Sequence, residues 1–160
     1  MANFLKMENV QSVSYQDGAL SQFNLTMKKN EINVLLGTQA SGKTRVLRAI
    51  AGLDRIVEGK IVLKGNHIST PQYMVPVHQR ECSYIAKDPL LFPHLTVSQN
   101  IQLPMRSLSR RSRHTIVDQV LKIVNLEGYG RYPTKYLPRA ETLRVALARA
   151  LVLEPSLILI

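Results

Sequence analysis

The sequence predicts an α/β fold, and two observations support that prediction. Short apolar runs at residues 32–36, 82–86 and 157–160 have the length and composition of strands that are buried on both faces of a parallel sheet. The segments at 45–51, 109–126 and 139–153 carry apolar residues at helical spacing instead. Strands that alternate with helices in this way are typical of the α/β class.

The N-terminal part of the chain predicts an antiparallel pair of strands beside the first buried strand. The expected elements, in order, are a strand at 4–15, a turn at 16–18, a strand at 19–27, the buried strand 32–36 and a helix at 45–51 that ends at Gly52. A turn at 53–60, a small strand at 61–63, a hairpin end at 64–67 and a proline-containing loop at 68–81 follow.

The second half predicts three helices and a final strand. Thr96 and Gln99 have the spacing of a capping box, so a short helix is expected to begin at Thr96 and to end by Pro104. Loops are expected at 127–133 and 154–156, between the remaining elements. Arg110, Arg111 and Arg113 open the helix 109–126, where cations oppose the helix dipole. We interpret them as an exposed face, with an anion contact as the alternative.

The segment between the strand 32–36 and the following helix carries the clearest chemical signal. It fits the pattern G-x-x-x-x-G-K-[ST] of a phosphate-binding P-loop. Loop amides and the positive end of the helix would surround a triphosphate, the lysine would reach its β- and γ-phosphates, and the threonine hydroxyl of Thr44 would ligate Mg²⁺. The candidate nucleotide-binding residues are Gly37, Thr38, Gln39, Ala40, Ser41, Gly42, Lys43, Thr44 and Arg45.

Composition sets broad limits on the protein. With 160 residues, of which 45% are hydrophobic, one soluble domain is expected. Cys82 is the only cysteine, so no internal disulfide forms, and we expect it to be a small buried residue beside a strand. The formal net charge of +10 favours anionic partners. The sequence shows neither a bilayer-spanning apolar run nor the apolar block of a signal peptide near Met1.

Several blocks together resemble the ATP-binding subunits of ABC transporters, particularly those of bacterial importers. The strongest match is the block Asp88–Ile101, in which Phe92-Pro93-His94-Leu95-Thr96-Val97 and Asn100-Ile101 resemble the neighbourhood of the family's Q-loop. The blocks Leu47–Asp54 and Arg144–Leu151, the latter leading to Pro155-Ser156-Leu157, also match in the family's order. The resemblance runs over residues 4–160.

The resemblance implies ATP and Mg²⁺ as ligands, with Tyr15 stacked on adenine. It implies one incomplete cassette with three parts. Residues of about 1–86 would form a β subdomain and the P-loop core, and residues of about 87–138 would form the Q-loop and a small helical subdomain. Residues of about 139–160 would form the signature helix and the Walker B strand. It also implies two partners, a transmembrane permease subunit bound through the Q-loop region and a second nucleotide-binding domain. The expected location is cytoplasmic, on the inner face of the membrane, with no specific nucleic acid bound.

The chain also departs from the family's pattern at functional positions. Lys87 stands where the Q-loop glutamine is expected, and Leu137-Pro138-Arg139-Ala140-Glu141 aligns with the signature Leu-Ser-Gly-Gly-Gln. Ala40 replaces the usual middle glycine of the P-loop. The Walker B carboxylates and the switch histidine would follow Ile160. We therefore expect the chain by itself to hydrolyse ATP very poorly.

Three alternatives remain open from the residues. One is a degenerate or regulatory nucleotide-binding module without hydrolysis. Another is a small P-loop kinase, in which Arg110, Arg111 and Arg113 would form a phosphate lid. The third, a basic nucleic-acid-binding protein, lacks a recognition helix or an aromatic-studded strand.

Overall fold

The computed structural model describes residues 3–12, 20–39, 41–105 and 107–160 of the chain. It divides into two compact units, Met1–Glu81 and Cys82–Ile160, and each is considered by itself. The predicted turn at 16–18 and the end of the first predicted strand lie outside the described residues.

The first unit contains a four-stranded antiparallel sheet in the order β2-β1-β3-β4. Its strands are β1 (Leu5–Ser12), β2 (Leu20–Met27), β3 (Glu58–Leu63) and β4 (Asn66–Ser69). Leu5 and Met7 alternate along β1 with more exposed residues and are buried, as is Ile61 on β3, opposite Met7. This alternation produces a sheet with one apolar face. The predicted antiparallel opening is confirmed, whereas the turn expected at 53–60 proves to contain the start of β3.

An ion-pair triad lies on the exposed part of this sheet. Glu8 of β1 contacts Lys6 two residues away, and its other oxygen lies 2.7 Å from Nζ of Lys60, its cross-strand partner on β3. The hydrogen bonds from Lys6 and then Lys60 lower the pKa of Glu8 from 4.5 to about 2. A carboxylate with a lowered pKa stabilises the folded state above the unfolded pKa, and this contribution is lost as the pH falls through the folded value.

We therefore expect Glu8→Gln to flatten the acid dependence of stability between pH 4.5 and about pH 2. The free energy of unfolding of the wild type should fall more steeply over this range than that of the variant. Urea titrations at several pH values measure the difference. Glu127→Gln, a neutralisation on an exposed turn of the second unit, serves as the control and should keep the wild-type slope. If the free energy of unfolding fell equally steeply with pH in the wild type and in Glu8→Gln, the prediction would be contradicted.

Helix α1 (Lys43–Ala51) is the helix expected after the P-loop motif. Val46, Ala49 and Ile50 form its buried face at helical spacing. Gly52 ends the helix with a φ of 81°, in the left-handed region that glycine adopts without a Cβ penalty. The predicted end at Gly52 is thus confirmed.

The side chain of Arg80 secures the end of α1. It is 1% exposed, and its guanidinium donates to the carbonyls of Ile50 (2.9 Å) and Ala49 (3.1 Å). It also donates to Ser69 Oγ of β4 (2.8 Å) and to the carbonyl of Val75 (2.8 Å). A cation at the C-terminal carbonyls of a helix satisfies acceptors that the helix itself leaves open. Arg80 therefore fixes the far end of the helix that begins in the P-loop.

The predicted buried strand at 32–36 is wrong for this structure. These residues form no strand, and Ile32, Val34 and Leu36 are 98%, 75% and 86% exposed. A parallel strand needs neighbours for its backbone hydrogen bonds. Among the described residues, no strand pairs with this segment. The composition typical of a buried strand is present, but burial and pairing are absent.

The second unit combines a parallel pair of strands with three helices. Strands β5 (Cys82–Tyr84) and β6 (Leu157–Leu159) pair in parallel, with Ser83 opposite Ile158. Cys82, expected as a buried residue, lies within β5 and is half-buried. The helices are α2 (Val97–Gln102), α3 (Arg110–Ile123) and α4 (Arg139–Leu151). Each predicted helix is thus confirmed, although α3 and α4 end two or three residues early.

A single apolar cluster joins the three helices. Val97 and Ile101 of α2, Val117 and Leu121 of α3, and Val145 of α4 belong to it, and all are almost fully buried. The predicted capping box of α2 is present, because Thr96 Oγ1 accepts from the amide of Gln99 and Gln99 Oε1 accepts from the amide of Thr96. Two short 3₁₀ turns occupy Tyr129–Arg131 and Thr134–Tyr136, partly within the region expected as loop. The predicted loop at 68–81 is likewise interrupted, by the end of β4 and a 3₁₀ turn at Val77–Gln79.

No helix among the described residues is long and apolar enough to cross a membrane.

Candidate functional site

The N-terminus of α1 has no side-chain cap and no acidic residue that would compete with an anion. Its N-cap is Gly42, with φ 88° and ψ 4°, and no side chain caps the helix. The first turn contains no acidic residue. The amides of Lys43 and Thr44 are in the first turn, where the helix supplies no carbonyl to accept from them. They are therefore available, together with the positive end of the helix dipole, for a negatively charged ligand.

Lys43 folds back across the loop that precedes α1. Its ammonium donates to the carbonyls of Thr38 (2.6 Å) and Gly37 (2.8 Å) and to Ser41 Oγ (3.2 Å). The amide of Ser41 donates to the carbonyl of Thr38 at 3.3 Å, which closes a turn within the loop. The loop is thus curled around the ammonium rather than extended. A phosphate oxygen can replace the longest of these contacts, at Ser41 Oγ, while the two carbonyls keep the ammonium in place.

Gly37 lies close to the Ser41 side chain at the other end of this curl. A Cβ on Gly37 would lie 2.5 Å from Ser41 Oγ. A larger residue there would require the Ser41 side chain to move from its contact with Lys43.

The remaining predicted residues fall into three groups. Thr38, Gln39 and Thr44 are exposed, so the hydroxyl of Thr44 is accessible to a metal–phosphate complex. Arg45 is 8% exposed and lies on the buried side of α1, so its side chain is not presented to solvent with the loop. Tyr15 and Ala40 lie outside the described residues.

The side chains near the P-loop could hold Mg²⁺ only together with the oxygens of a bound triphosphate. Within the described ranges, no three His, Cys, Asp or Glu side chains come together to hold a metal ion. Mg²⁺ commonly keeps several waters and binds through a few protein oxygens plus the substrate's phosphates. Thr44 suits that role, because it supplies one exposed hydroxyl in the first turn of α1.

The loop after β5, which contains the predicted Q-loop position, is held by polar side chains from other elements. Lys87 is exposed at its start. Arg149 of α4 donates to the carbonyls of Pro89 (2.7 Å) and Leu90 (3.1 Å), and burial lowers the pKa of its guanidinium. Leu90 has a φ of 48°, an uncommon conformation for a leucine that these contacts help to maintain.

Asn100 holds the next part of this loop. Its side chain is fully buried in α2, and Phe92 both donates its amide to Oδ1 (2.8 Å) and accepts from Nδ2 (3.1 Å) through its carbonyl. Asn100, Thr134 and Arg149 are not among the functional residues predicted from the sequence. One signal was available for Asn100, an amide on the apolar face of α2 between Val97 and Ile101, since a buried polar group must have partners.

The segment aligned with the transporter signature forms the start of α4. Pro138 is the N-cap and makes no side-chain cap, and Arg139 and Ala140 are exposed. Glu141 lies in the first turn, and its Oε2 is buried without a hydrogen-bond partner among the described residues. A carboxylate here already complements the helix dipole and opposes a phosphate at the same place.

The comparisons with known proteins identify one family. The family model described as ABC transporter matches residues 20–160. The molybdate/tungstate import ATP-binding protein of Pyrococcus abyssi is 37% identical over 98% of this chain, and the spermidine/putrescine import ATP-binding protein of Clostridioides difficile is 32% identical over 99%. The chain spans 44% and 45% of these two relatives, less than half of their length.

Solved structures show the same fold. The protein cbiO1 from Clostridium perfringens, part of the ABC transporter complex cbiONQ, superposes with a TM-score of 0.80 at 26% identity, over 98% of this chain and 64% of that one. A dimeric ATP-binding cassette bound to ADP and Pi gives 0.82 at 25% identity, over 96% and 72%. Together with the matches over nearly the whole chain, these similarities favour a transporter cassette over a small kinase. The chain belongs to the ABC transporter family and has the α/β P-loop fold of its ATP-binding cassettes.

Proposed function

We propose that the chain binds ATP·Mg²⁺ at its P-loop as part of the ATP-binding subunit of an ABC-type importer. The observation that carries the proposal is the N-terminus of α1, which has a glycine cap, no acidic residue and the Lys43 ammonium lying across the loop. The amides of this segment would bind the β- and γ-phosphates, Lys43 would neutralise them, and Thr44 would ligate Mg²⁺. Tyr15 is proposed to stack on adenine.

Equilibrium titration with a fluorescent ATP analogue, with Mg²⁺ and with EDTA, tests the proposal. We expect saturable binding that excess unlabelled ATP displaces and that Mg²⁺ strengthens. Thr44→Ala should remove most of the Mg²⁺-dependent gain while leaving the metal-free affinity within about twofold, because only the metal ligand is lost. Absence of displaceable binding in both conditions would overturn the proposal.

Hydrolysis by the 160-residue chain is expected to be very slow, in contrast to binding. In the family, the segment aligned with the start of α4 supplies a hydroxyl and close backbone approach to the γ-phosphate bound by the partner subunit. This chain has Pro138, Arg139 and Ala140 there, and the Glu141 carboxylate would repel that phosphate. Lys87 at the Q-loop position cannot ligate a metal. Phosphate release should therefore stay at the level of the Lys43→Ala variant. Steady turnover that Lys43→Ala abolishes would contradict this expectation.

The same proposal includes two partners and a location. The relatives are named as import ATP-binding proteins, and one structural neighbour is dimeric. We propose that the chain associates with a transmembrane permease subunit through the Q-loop region, at the cytoplasmic face of the membrane, and with a second nucleotide-binding domain. The division into a β and P-loop part (about 1–86), a helical part (about 87–138) and a signature part (about 139–160) belongs to this proposal.

A further inference from the structure

A cavity of about 80 Å³ lies in the first unit, where Arg55 and Ile56, which follow α1, meet the segment 69–74. We call it the Arg55 cavity. Ile56 and Ser69 are almost fully buried, whereas Arg55 and Tyr73 are exposed, so the cavity extends from a closed floor to an open rim. A buried water molecule needs about 10–15 Å³ of such space. The cavity therefore has room for roughly five water molecules, or for a ligand of about five heavy atoms.

The side chains around the Arg55 cavity favour an anion. None of the described residues that line it is acidic. Arg55 contributes a guanidinium, which has five N–H donors and no acceptor, and Gln72 contributes a side-chain amide. Ser69, Thr70 and Tyr73 contribute hydroxyl groups. A tetrahedral oxyanion, whose four oxygens all accept hydrogen bonds, can use more of these donors than a carboxylate with two oxygens.

The positive charge of Arg55 is not neutralised by a neighbouring carboxylate. Among the residues that the structure describes, Arg55 has no ion pair and no hydrogen-bond partner. The adjacent carboxylate, Asp54, is already engaged, because both of its oxygens accept from the Arg48 guanidinium at 2.8 to 3.1 Å. The guanidinium of Arg55 is therefore available to an anion, and its planar fork can donate two parallel hydrogen bonds to one oxyanion.

The opposite wall of the cavity is a tight hairpin, 69–74, whose two end residues form an antiparallel bridge. Within it, the amide of Thr70 donates to the carbonyl of Tyr73 at 2.7 Å, and the amide of Tyr73 donates to Thr70 Oγ1 at 3.1 Å. Ser69 Oγ accepts from the buried Arg80 guanidinium at 2.8 Å, which leaves the hydroxyl hydrogen of Ser69 to donate. A wall that is ordered in advance loses little conformational entropy when a ligand binds.

We propose that the Arg55 cavity binds a free tetrahedral oxyanion of the size of sulfate or phosphate. Arg55 supplies the charge, and the hydroxyls and amide of the hairpin wall supply the remaining donors. The site is distinct in sequence from the P-loop and does not depend on the proposed binding of ATP. Arg80 connects the two regions, because it donates both to Ser69 and to the last carbonyls of α1, the helix that begins in the P-loop.

Titration of the ¹⁵N-labelled chain with sodium sulfate, followed by NMR, tests the inference. The backbone amides of Thr70, Gln72 and Tyr73 should shift and reach saturation, whereas sodium chloride at the same ionic strength should not reproduce these shifts. The amides of residues 41–44 report separately on any sulfate at the P-loop, where a helix N-terminus also attracts anions. Shifts at 70–73 that never saturate, or that chloride reproduces, would overturn the inference.

Matched variants place the anion in the Arg55 cavity. Arg55→Gln should weaken the saturable binding of sulfate seen at 70–73 at least about tenfold, because a charge-assisted pair is lost. Arg131→Gln, the same change at an exposed arginine of the second unit, should weaken it less than about twofold. Equal effects of the two variants would reflect only the general charge of the protein and would overturn the assignment. Lys43→Ala should remove the shifts at 41–44 and leave those at 70–73, so the two sites are tested independently.

A comparison of anions tests the predicted shape and size of the ligand. Sulfate and phosphate should both saturate the shifts at 70–73, and acetate should bind at least about fivefold more weakly, because it offers two oxygens instead of four. Glycerol 3-phosphate carries the same phosphate group on a larger molecule and should also bind more weakly than free phosphate, because the cavity has room for only about five heavy atoms. Binding of acetate or glycerol 3-phosphate as tight as that of phosphate would overturn the assignment to a free tetrahedral ion.

Discussion

Replacing Lys43 with alanine is expected to weaken ATP binding by at least about 100-fold. The ammonium donates to two loop carbonyls and to Ser41 Oγ, so it both shapes the loop and supplies the positive charge beside the phosphates. Charge-assisted hydrogen bonds contribute about 1.5–3 kcal/mol each, and about 1.4 kcal/mol corresponds to a tenfold change in affinity. Displacement titration with the fluorescent ATP analogue measures the loss.

Two controls separate lost charge from lost structure. Lys43→Arg keeps a cation but replaces the compact ammonium by a planar fork, so the loop contacts at 2.6 and 2.8 Å should not be reproduced and affinity should remain low. Lys122→Ala on α3 removes one exposed positive charge far from the P-loop in sequence and should leave the affinity within about twofold. An affinity for Lys43→Ala within a factor of three of the wild type would contradict the proposed role of the P-loop.

Replacing Arg80 with methionine is expected to cost about 3 kcal/mol of unfolding free energy. Methionine fills a similar volume but donates no hydrogen bonds, so the carbonyls of Ala49, Ile50 and Val75 and the hydroxyl of Ser69 lose a buried donor. Buried acceptors that lose a partner each cost about 1–3 kcal/mol, partly offset by other donors such as the Gly52 amide, which also reaches the carbonyl of Ala49. Urea denaturation measures the change.

Arg48 provides a matched arginine at the same end of α1. Its guanidinium pairs with Asp54 at 2.8 Å, but the side chain is 42% exposed. Arg48→Met should therefore cost less than about 1 kcal/mol. Gly52→Ala is an independent check that this contact stabilises the fold, and it should also lower the free energy of unfolding. A Cβ at this position would lie 2.4 Å from Arg80 Nε, and the backbone has a positive φ. If Arg80→Met lowered the free energy of unfolding by as little as Arg48→Met, the guanidinium of Arg80 would not be the group that secures the end of α1.

The helices illustrate what could be predicted from the sequence. The spacing of apolar residues in α3, the Thr96–Gln99 capping box and the glycines on either side of α1 are all short-range signals. Each involves residues within one or two turns of each other, so local rules are sufficient. The P-loop motif is also a short-range signal, because one contiguous segment contains the glycines, the lysine and the start of the helix.

The segment 32–36 and the buried polar side chains illustrate what could not be predicted from the sequence. The run Ile32-Asn33-Val34-Leu35-Leu36 has the composition of a buried strand, yet it is exposed, because pairing depends on strands elsewhere in the chain. Arg80 contacts carbonyls about thirty residues away, and Thr134 contacts Phe92 from 42 residues away.

By itself, then, the sequence determined the fold class, the helices and the position of the P-loop segment before α1. Only the tertiary structure decided which polar side chains hold the Phe92 loop and which apolar run stays exposed. The reason is the range of the interactions. Helix periodicity and capping depend on neighbours in sequence, whereas strand pairing and the partners of buried polar groups depend on neighbours in space.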